Sequence, residues 1–536
     1  MVCLLRRFAP LVAAGVAAAL LAAACAEPDL TVGVPNTTTT VPLGSRAAEP
    51  EGAPPAGEAA GTPSESPPAP SPEPPEQPEP PSAPPQPAPG VAPAGEVVPP
   101  APPEPPPAAE APAESEPPDA SASGSDASPL RVAVIADLQT GGVADGRSAS
   151  VELAMLAWAE AVNAAGGLAG RSVELVTLDA GLFGHEAVLA EACAGGVFAL
   201  VGSDALLDDE GVELLAAPDC DLVDFPARVH SPRRAASPRT FQAVPVSNDF
   251  ADAGALRWVA ARQPVRIRST ATFFVDFPVS VIAAERTAEA ARGLGFELVY
   301  DPSVAITESL APYAADMAAL GVHHVLWDGD TQSLLDLLGG LQDLGWSVGV
   351  NCSSACASAQ FLAAAGDAAD GVLIWSPYLP LREEGYSPEL AVYRQWLAVV
   401  DPQAIPDLQG VAAWAAARLF EEAVRRAVGA GTPTEDPAAL TPSAVAAAAA
   451  GIVNWHGHGL HAPTDPGTGE PSPCGVVMGA SDGNLYRFHP AQPGSFDCSP
   501  ENLFALEATA QLGLESPAEP GVSEAPAAQS EAVDPP

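Results

Sequence analysis

The sequence predicts an α/β fold of parallel strands and helical crossovers. Three observations carry that reading: a complete strand-helix-strand unit over residues 130–179, strand-helix alternation that persists as far as Trp375, and a hairpin pattern near the C-terminus. In the first unit Arg131 to Ala136 is a short apolar run with β-branched residues, closed by Asp137 and a Gly141-Gly142 loop, as suits a buried parallel strand. Val151, Met155, Trp158 and Val162 then recur at spacings of four, three and four, which lays one apolar stripe along a helix starting near Ser148 or Ser150, both acceptable N-caps. Gly166-Gly167 ends the helix, and Val173 to Leu178 is the next strand, stopped at Asp179. Such a unit crosses over right-handedly, and the loops at the carboxyl ends of its strands are where open α/β sheets put ligands.

The string Ala161-Val162-Asn163-Ala164-Ala165-Gly166-Gly167-Leu168-Ala169-Gly170-Arg171, followed by a strand and an Asp, resembles the signature of type I periplasmic solute-binding proteins, in particular the leucine/isoleucine/valine-binding branch. The resemblance continues less sharply through Val197 to Gly202 and on to about Cys498. It implies a two-lobed Venus-flytrap fold, each lobe a parallel-sheet sandwich joined by several hinge strands. It also implies capture of a small solute, an amino acid or amide-like compound, in the interlobe cleft and delivery to the permease subunits of an ABC importer.

Further along, helix Glu186 to Ala194, strand Phe198 to Gly202, helix Leu206 to Ala217 and strand Asp221 to Phe225 complete the first series, and Phe241 to Val244 reads as a strand crossing to the second lobe. There follow helix Phe250 to Arg262, strand Thr272 to Val275, helix Val279 to Leu294, strand Glu297 to Tyr300, helix Leu310 to Leu320, strand His324 to Trp327, helix Gln332 to Leu344, and strands Ser347 to Val350 and Gly371 to Trp375. Helices over Pro388 to Val400 and Gly410 to Val428 return to the first lobe. Val476 to Met478 and Asn484 to Phe488 flank Ser481-Asp482-Gly483, a hairpin signature. The expected division is 129–244 for lobe 1, with about 380–450 returning to it, and 245–379 for lobe 2, with about 451–508 completing it.

The two ends read differently. Met1 to Cys25 has a basic end at Arg6-Arg7, an apolar segment from Leu11 to Leu21, and Ala22-Ala23-Ala24-Cys25, the form of a bacterial lipobox in which the acylated Cys25 becomes the mature N-terminus; the bland alternative is an ordinary signal peptide. The apolar segment is shorter than the roughly 20 residues of a stable membrane helix. Residues 26–128 are dominated by Pro, Ala, Glu and Ser and lack the apolar residues that offset ordering entropy, so they are expected to form a disordered tether. Its reach lies between about 55 Å as a coil and about 300 Å fully extended. A similar acidic tail covers 509–536. The expected location is therefore the outer face of the cell membrane, lipid-anchored.

Composition excludes one class of partner. The 22 basic residues are all arginine, and against 67 acids they leave a net charge of −45. Nucleic acid binding needs a basic surface that neutralises phosphate, and this chain would repel the polyanion. Of the eight cysteines, Cys3 and Cys25 belong to the export segment. The other six, an even number in an exported chain, favour disulfides in any of 15 connectivities. Proximity and the implied fold suggest Cys193 with Cys220, Cys352 with Cys356, and Cys474 with Cys498; some members of the family carry a disulfide in the region of the first pair.

The loops after the strands supply the candidate ligand contacts: Gln139, Thr140, Ser203, Asp204, Ala227, Phe277, Asp328 and Ser353. In the family the first three loops give hydroxyls and backbone N–H groups to a ligand carboxylate, an aromatic covers the ligand, and an acid pairs its ammonium. Here the usual Ser-Ser pair is broken by Asp204-Ala205, Phe277 stands where Tyr is frequent, and the Ala227 loop carries Arg228 in place of Ser or Thr neighbours. Thr140 and Ser203 are equally the residue types that cap helices, as are Asp204 and Asp328. Pro278 turns the chain after Phe277 and favours its facing the cleft.

No enzymatic activity and no cofactor are expected. The strongest rival signal is Trp455-His456-Gly457-His458-Gly459-Leu460-His461, three imidazoles that would make a metal-dependent enzyme if they held zinc, but no helical HExxH pairing with a general base accompanies them. The Gly-x-Ser-x-Gly strings Gly345 to Gly349 and Gly479 to Gly483 fall at a helix-to-strand turn and in the hairpin signature, not at a strand-to-helix elbow, and no P-loop occurs. A ligand-sensing receptor domain that feeds a signalling partner is the other alternative.

Overall fold

Two sheets organise the chain, each covered by helices on both faces. The computed structural model describes residues 128–140, 148–305, 308–429 and 440–507. Cys25 and its export segment, the Pro-rich stretch, Gly141-Gly142 and the acidic tail lie outside the described residues. The first sheet is made by β1 (Leu130–Ala136), α1 (Ala149–Ala164), β2 (Val173–Asp179), α2 (His185–Ala194), β3 (Ala199–Val201) and β4 (Val223–Phe225). Its strands run parallel in the order β2-β1-β3-β4.

A one-turn helix α3 (Pro232–Ala235) and a short strand β5 (Phe250–Asp252) lead to α4 (Gly254–Arg262), β6 (Thr270–Val275), α5 (Pro278–Gly293), β7 (Leu298–Tyr300), β8 (Ser303–Val304) and α6 (Ala311–Leu320). Then come β9 (His324–Asp328), α7 (Thr331–Asp343), β10 (Gly349–Cys352), α8 (Ala359–Ala365) and β11 (Val372–Ser376). The helices α9 (Pro388–Val400), α10 (Leu408–Val428) and α11 (Pro442–Ala449) return to the first sheet, and the hairpin β12 (Val476–Ser481) and β13 (Asn484–His489) extends the second. The second sheet has the order β13-β12-β11-β10-β9-β6-β7, with β8 also beside β6, and only its β11-β12 and β12-β13 pairs are antiparallel. A last strand, β14 (Leu503–Ala505), pairs antiparallel with β5. Two helix-covered sheets, joined by repeated crossings, make the α/β, two-lobed architecture that the resemblance implies, consistent with a Venus flytrap.

Alternation along the strands sends apolar side chains to both faces. Val132, Val134, Val201 and Phe225 pack under α1 and α10, while Ala133, Ile135 and Leu200 pack against Leu189 and Ala192 of α2. Trp158 of α1 meets Phe420 of α10 edge-on at 6.1 Å, and its Nε1–H donates to Glu421 at 2.8 Å. The signature residues do structural work. Asn163 exchanges hydrogen bonds of 2.7 and 2.9 Å with the Val173 main chain, fastening α1 to β2. A Cβ on Gly167, at φ +86°, would lie 2.1 Å from the Arg171 carbonyl oxygen.

Several local expectations are corrected. Leu206 to Ala217 is not a helix: Gly211 turns left-handed at φ 73° and only a 3-10 turn, Val212–Ala216, remains. Phe250 to Asp252 pairs with β14 instead of opening a helix. Phe241 to Val244 forms no strand; the Phe241 N–H donates to the Asp224 carbonyl, and Pro245 follows. Ser148 precedes α1 but does not cap it, because its hydroxyl donates to the Asp204 carbonyl at 3.1 Å.

Among the described residues, disulfides join Cys193 to Cys220, Cys352 to Cys356, and Cys474 to Cys498. The chain passes between the sheets three times, and these passages are bonded to one another. Thr464 Oγ1 donates to the Ala243 carbonyl at 2.7 Å, the Leu379 N–H donates to the Leu460 carbonyl at 3.1 Å, and Tyr378 pairs with His461. Multiple crossings let two lobes bend about a shared hinge without breaking either core. Residues 452–464 therefore lie along the hinge, ahead of the hairpin.

Candidate functional site

A cavity of about 430 Å³ opens between the two sheets, walled by the loop after β4 and the start of α10 on one side and by β5, α5 and the ends of β9, β10 and β11 on the other. Every one of those walls stands at or beside a hinge passage or a strand's carboxyl end, where parallel sheets leave their main-chain ends open to a ligand.

From the first lobe, Arg228 and His230 line it. Both are held by the fully buried Asp204, which accepts from the Arg228 guanidinium at 2.5 Å and lies 2.9 Å from His230 Nε2. Asp208, behind them, accepts from the His230 main-chain N–H at 2.8 Å. Burial raises the Asp208 carboxyl, against the pull of Arg234. Arg234 is itself buried and makes a two-pronged pair with Asp224 at 2.8 and 2.9 Å. Two further Arg228 N–H groups reach Gln409 of α10 at 3.1 Å and, across the cleft, the Ser354 hydroxyl at 3.2 Å. That last bond ties the lobes directly.

From the second lobe come Asp252, Arg286 and Asp328. Arg286 of α5 clamps the first hinge passage by donating to the carbonyls of Ser247, Asn248 and Phe250 at 2.5, 2.8 and 2.7 Å. Asp328 closes β9, and burial lifts its carboxyl to about 6, with only the Thr287 hydroxyl pulling the other way. Asp252 is lifted to about 6 as well, by surrounding protein and against the Arg286 charge. It keeps water-accessible atoms on the cavity floor while protein crowds its other sides. Cys352, Ser353 and Ser354 complete this wall, their turn pinned by the Cys352–Cys356 bond.

The eight candidate contacts thus separate. Ala227, Asp328 and Ser353 line the cavity. Ser203 and Asp204 lie one layer behind it: the Ser203 hydroxyl is fully buried and accepts the Ile135 N–H at 3.1 Å, and Asp204 orients Arg228 and His230. Phe277 packs against the apolar core beside α5. Gln139 and Thr140 end a described segment, and neither lines the cavity. Sequence reading missed Asp252, Arg286 and Gln409, which sit on helices and an edge strand and not in the loops searched. Only Arg228 carried a signal, as a departure from the expected hydroxyl loop.

The histidine run does not gather. His461 is buried, its Nδ1 2.7 Å from the Ala462 carbonyl and its ring against Tyr378 and Trp455, and burial lowers its pKa to about 4. Among the described residues no three His, Cys, Asp or Glu side chains are placed to hold a metal ion. Among the described residues, too, no helix is long and apolar enough to cross a membrane.

Three solved structures illustrate what the chain is similar to. A fatty acid ABC transporter substrate-binding protein from Thermomonospora curvata matches at 17% identity over 71% of this chain and 95% of that one, with a TM-score of 0.59. The solute-binding protein of an ABC transporter from R. palustris, in complex with benzoate, matches at 14% over 68% and 96%, with a TM-score of 0.53. The branched-chain amino acid transporter substrate-binding protein from Streptococcus pneumoniae, in complex with isoleucine, matches at 12% over 67% and 100%, also with 0.53. At such identities the likeness speaks for the fold. No curated protein sequence matches the chain. The periplasmic binding protein model matches residues 129–484, a span that holds the first sheet and the second as far as β12, and the chain belongs to the periplasmic binding protein family.

Proposed function

We propose that the chain is the solute-capturing component of an ABC importer, of the leucine/isoleucine/valine-binding branch, tethered to the outer face of the membrane by a lipid on Cys25 and handing its solute to permease subunits. The observation that carries this reading is the 430 Å³ cavity walled by charged and aromatic side chains from both lobes. Its size suits a small molecule, and its position makes closure and binding one equilibrium, since contacts to both lobes exist only when the lobes meet. The solute is a small amine- or amide-bearing molecule of the amino acid or amide-like class. Asp328 favours the amine, because a buried carboxylate lacking a cation gains most from one. Lobe 1 comprises 129–244 and the helices of 380–450; lobe 2 comprises 245–379 and the C-terminal hairpin. The chain performs no bond chemistry.

A thermal-shift screen of amino acids, polyamines, amides and urea tests the reading. Binding raises the melting temperature by mass action, by an amount that grows with ligand concentration. Silence across the screen, or a hit that leaves an Arg228→Ala, Asp328→Ala double variant equally responsive, contradicts it. For the anchor, Cys25→Ala should release the protein from membranes of an expressing bacterium into the medium or periplasm; unchanged membrane retention contradicts lipidation.

A further inference from the structure

The solute-capture reading, on which this inference rests, leaves the charge of the solute open, and the wall of the cavity narrows it. Its cations are committed to the protein's own acceptors. Arg228 and His230 share the Asp204 carboxylate, and Arg228 spends further N–H groups on Gln409 and Ser354. Its Nε–H has no hydrogen-bond partner among the described residues, but the charge it belongs to is already matched by Asp204. Arg286 donates to three main-chain carbonyls, and of the charges around it the Asp252 carboxylate supports its own most strongly. With Arg228 set against Asp204 and Arg286 against Asp252, one charge on the wall is left over: Asp328.

Asp328 is 8% exposed, its Oδ2 has no hydrogen-bond partner among the described residues, and it lines the cavity. A buried carboxylate in that condition is costly unless a cation meets it. The aromatic rings of Tyr378 and Phe250 line the same space, and such rings attract a cation at their faces as well as hydrocarbon. A ligand carboxylate has no comparable place: to reach Arg228 it would have to compete with Asp204, which is fully buried and fixed.

We propose that the cleft selects a small organic cation without a carboxylate, an alkyl amine or amidine whose charged head lies against Asp328 and whose hydrocarbon lies along Phe250 and Ile282. Zwitterionic amino acids are then the poorer ligands of the class.

Isothermal titration of the full chain at pH 7.5 with a series matched in length tests this: n-pentylamine, norleucine, hexanamide and hexanoate. The amine should bind most tightly, at least tenfold better than norleucine, with no measurable binding of hexanoate, and Asp328→Asn should weaken the amine at least tenfold while leaving the melting temperature of the free protein no lower. Norleucine or hexanoate binding as well as the amine, with Asp328→Asn indifferent, overturns the charge assignment and leaves solute capture standing. No heat from any of the four, in a protein whose thermal shift responds to some other solute, also overturns the charge assignment alone; no response to any solute in either assay overturns both.

Discussion

Asp328 concentrates the tension between binding and stability. Its carboxyl stands near 6 in the folded protein against 3.8 as an ordinary side chain, so the folded state holds an extra proton between those values. Stability from this group is therefore greatest below about pH 4 and falls as pH rises to about 6, by about 3 kcal/mol at most. The titratable and charged groups that share its cavity are Asp252, Arg286, Arg228 and His230. Asp328→Asn should thus stabilise the ligand-free protein at pH 7.5, raising its melting temperature by several degrees, and do little at pH 4; equal shifts at both pH values would contradict the assignment. Buried histidines act in the opposite sense. His185, His324 and His461 are each lowered to about 4 by burial, so the unfolded chain takes up protons that the folded one refuses as pH falls from about 6.5. These groups begin to act at about pH 6.5, above the range in which Asp328 and Asp252, each raised to about 6, take up their extra protons, so the wild-type melting temperature should fall between pH 7 and pH 6. Asp328 was legible in the sequence because it follows an apolar strand. Asp252 was not, since Phe250-Ala251-Asp252 read as the start of a helix until its distant partner, Leu503 to Ala505, was in place.

Elements that rest on local pattern were read from the sequence, and those that rest on a remote partner were not. The stripe of α1 and the Asp482-Gly483 turn of the hairpin, with φ of 49° and 67°, declare themselves within a dozen residues. The loop after β3 does not. Asp137 accepts the Leu182 and Leu206 N–H groups at 2.9 and 2.7 Å and holds that segment in an irregular path that helix propensity alone would not choose. Close approach at the hinge is equally invisible in sequence. Trp375 of β11 lies between Gly254 and Gly475, where an added Cβ would come within 2.3 and 2.4 Å of its ring. Gly475→Ala should cost roughly 1–3 kcal/mol through overpacking. Denaturant unfolding of that variant checks it, and an unchanged midpoint would show that the indole moves freely.

At the scale of the molecule, three bonded passages connect the lobes, with side-chain bonds from Arg228 to Ser354 and from the Ala359 N–H to the Asp407 carboxylate, and one apolar cluster runs through both. The three disulfides leave that hinge free: Cys193–Cys220 lies within the first lobe, Cys352–Cys356 within the second, and Cys474–Cys498 staples the segment around the hairpin. Closing 28 residues between Cys193 and Cys220 is worth roughly 3 kcal/mol by chain entropy, so reductant should lower the melting temperature without abolishing the two-lobed fold. One solute should touch both lobes at once. Hydrogen exchange measured with and without a solute that raises the melting temperature reads this out. Residues 227–231 and 408–412 from one lobe and residues 250–256, 283–287 and 327–328 from the other are expected to gain protection together; protection confined to one lobe, or appearing away from these segments, would overturn two-lobed capture.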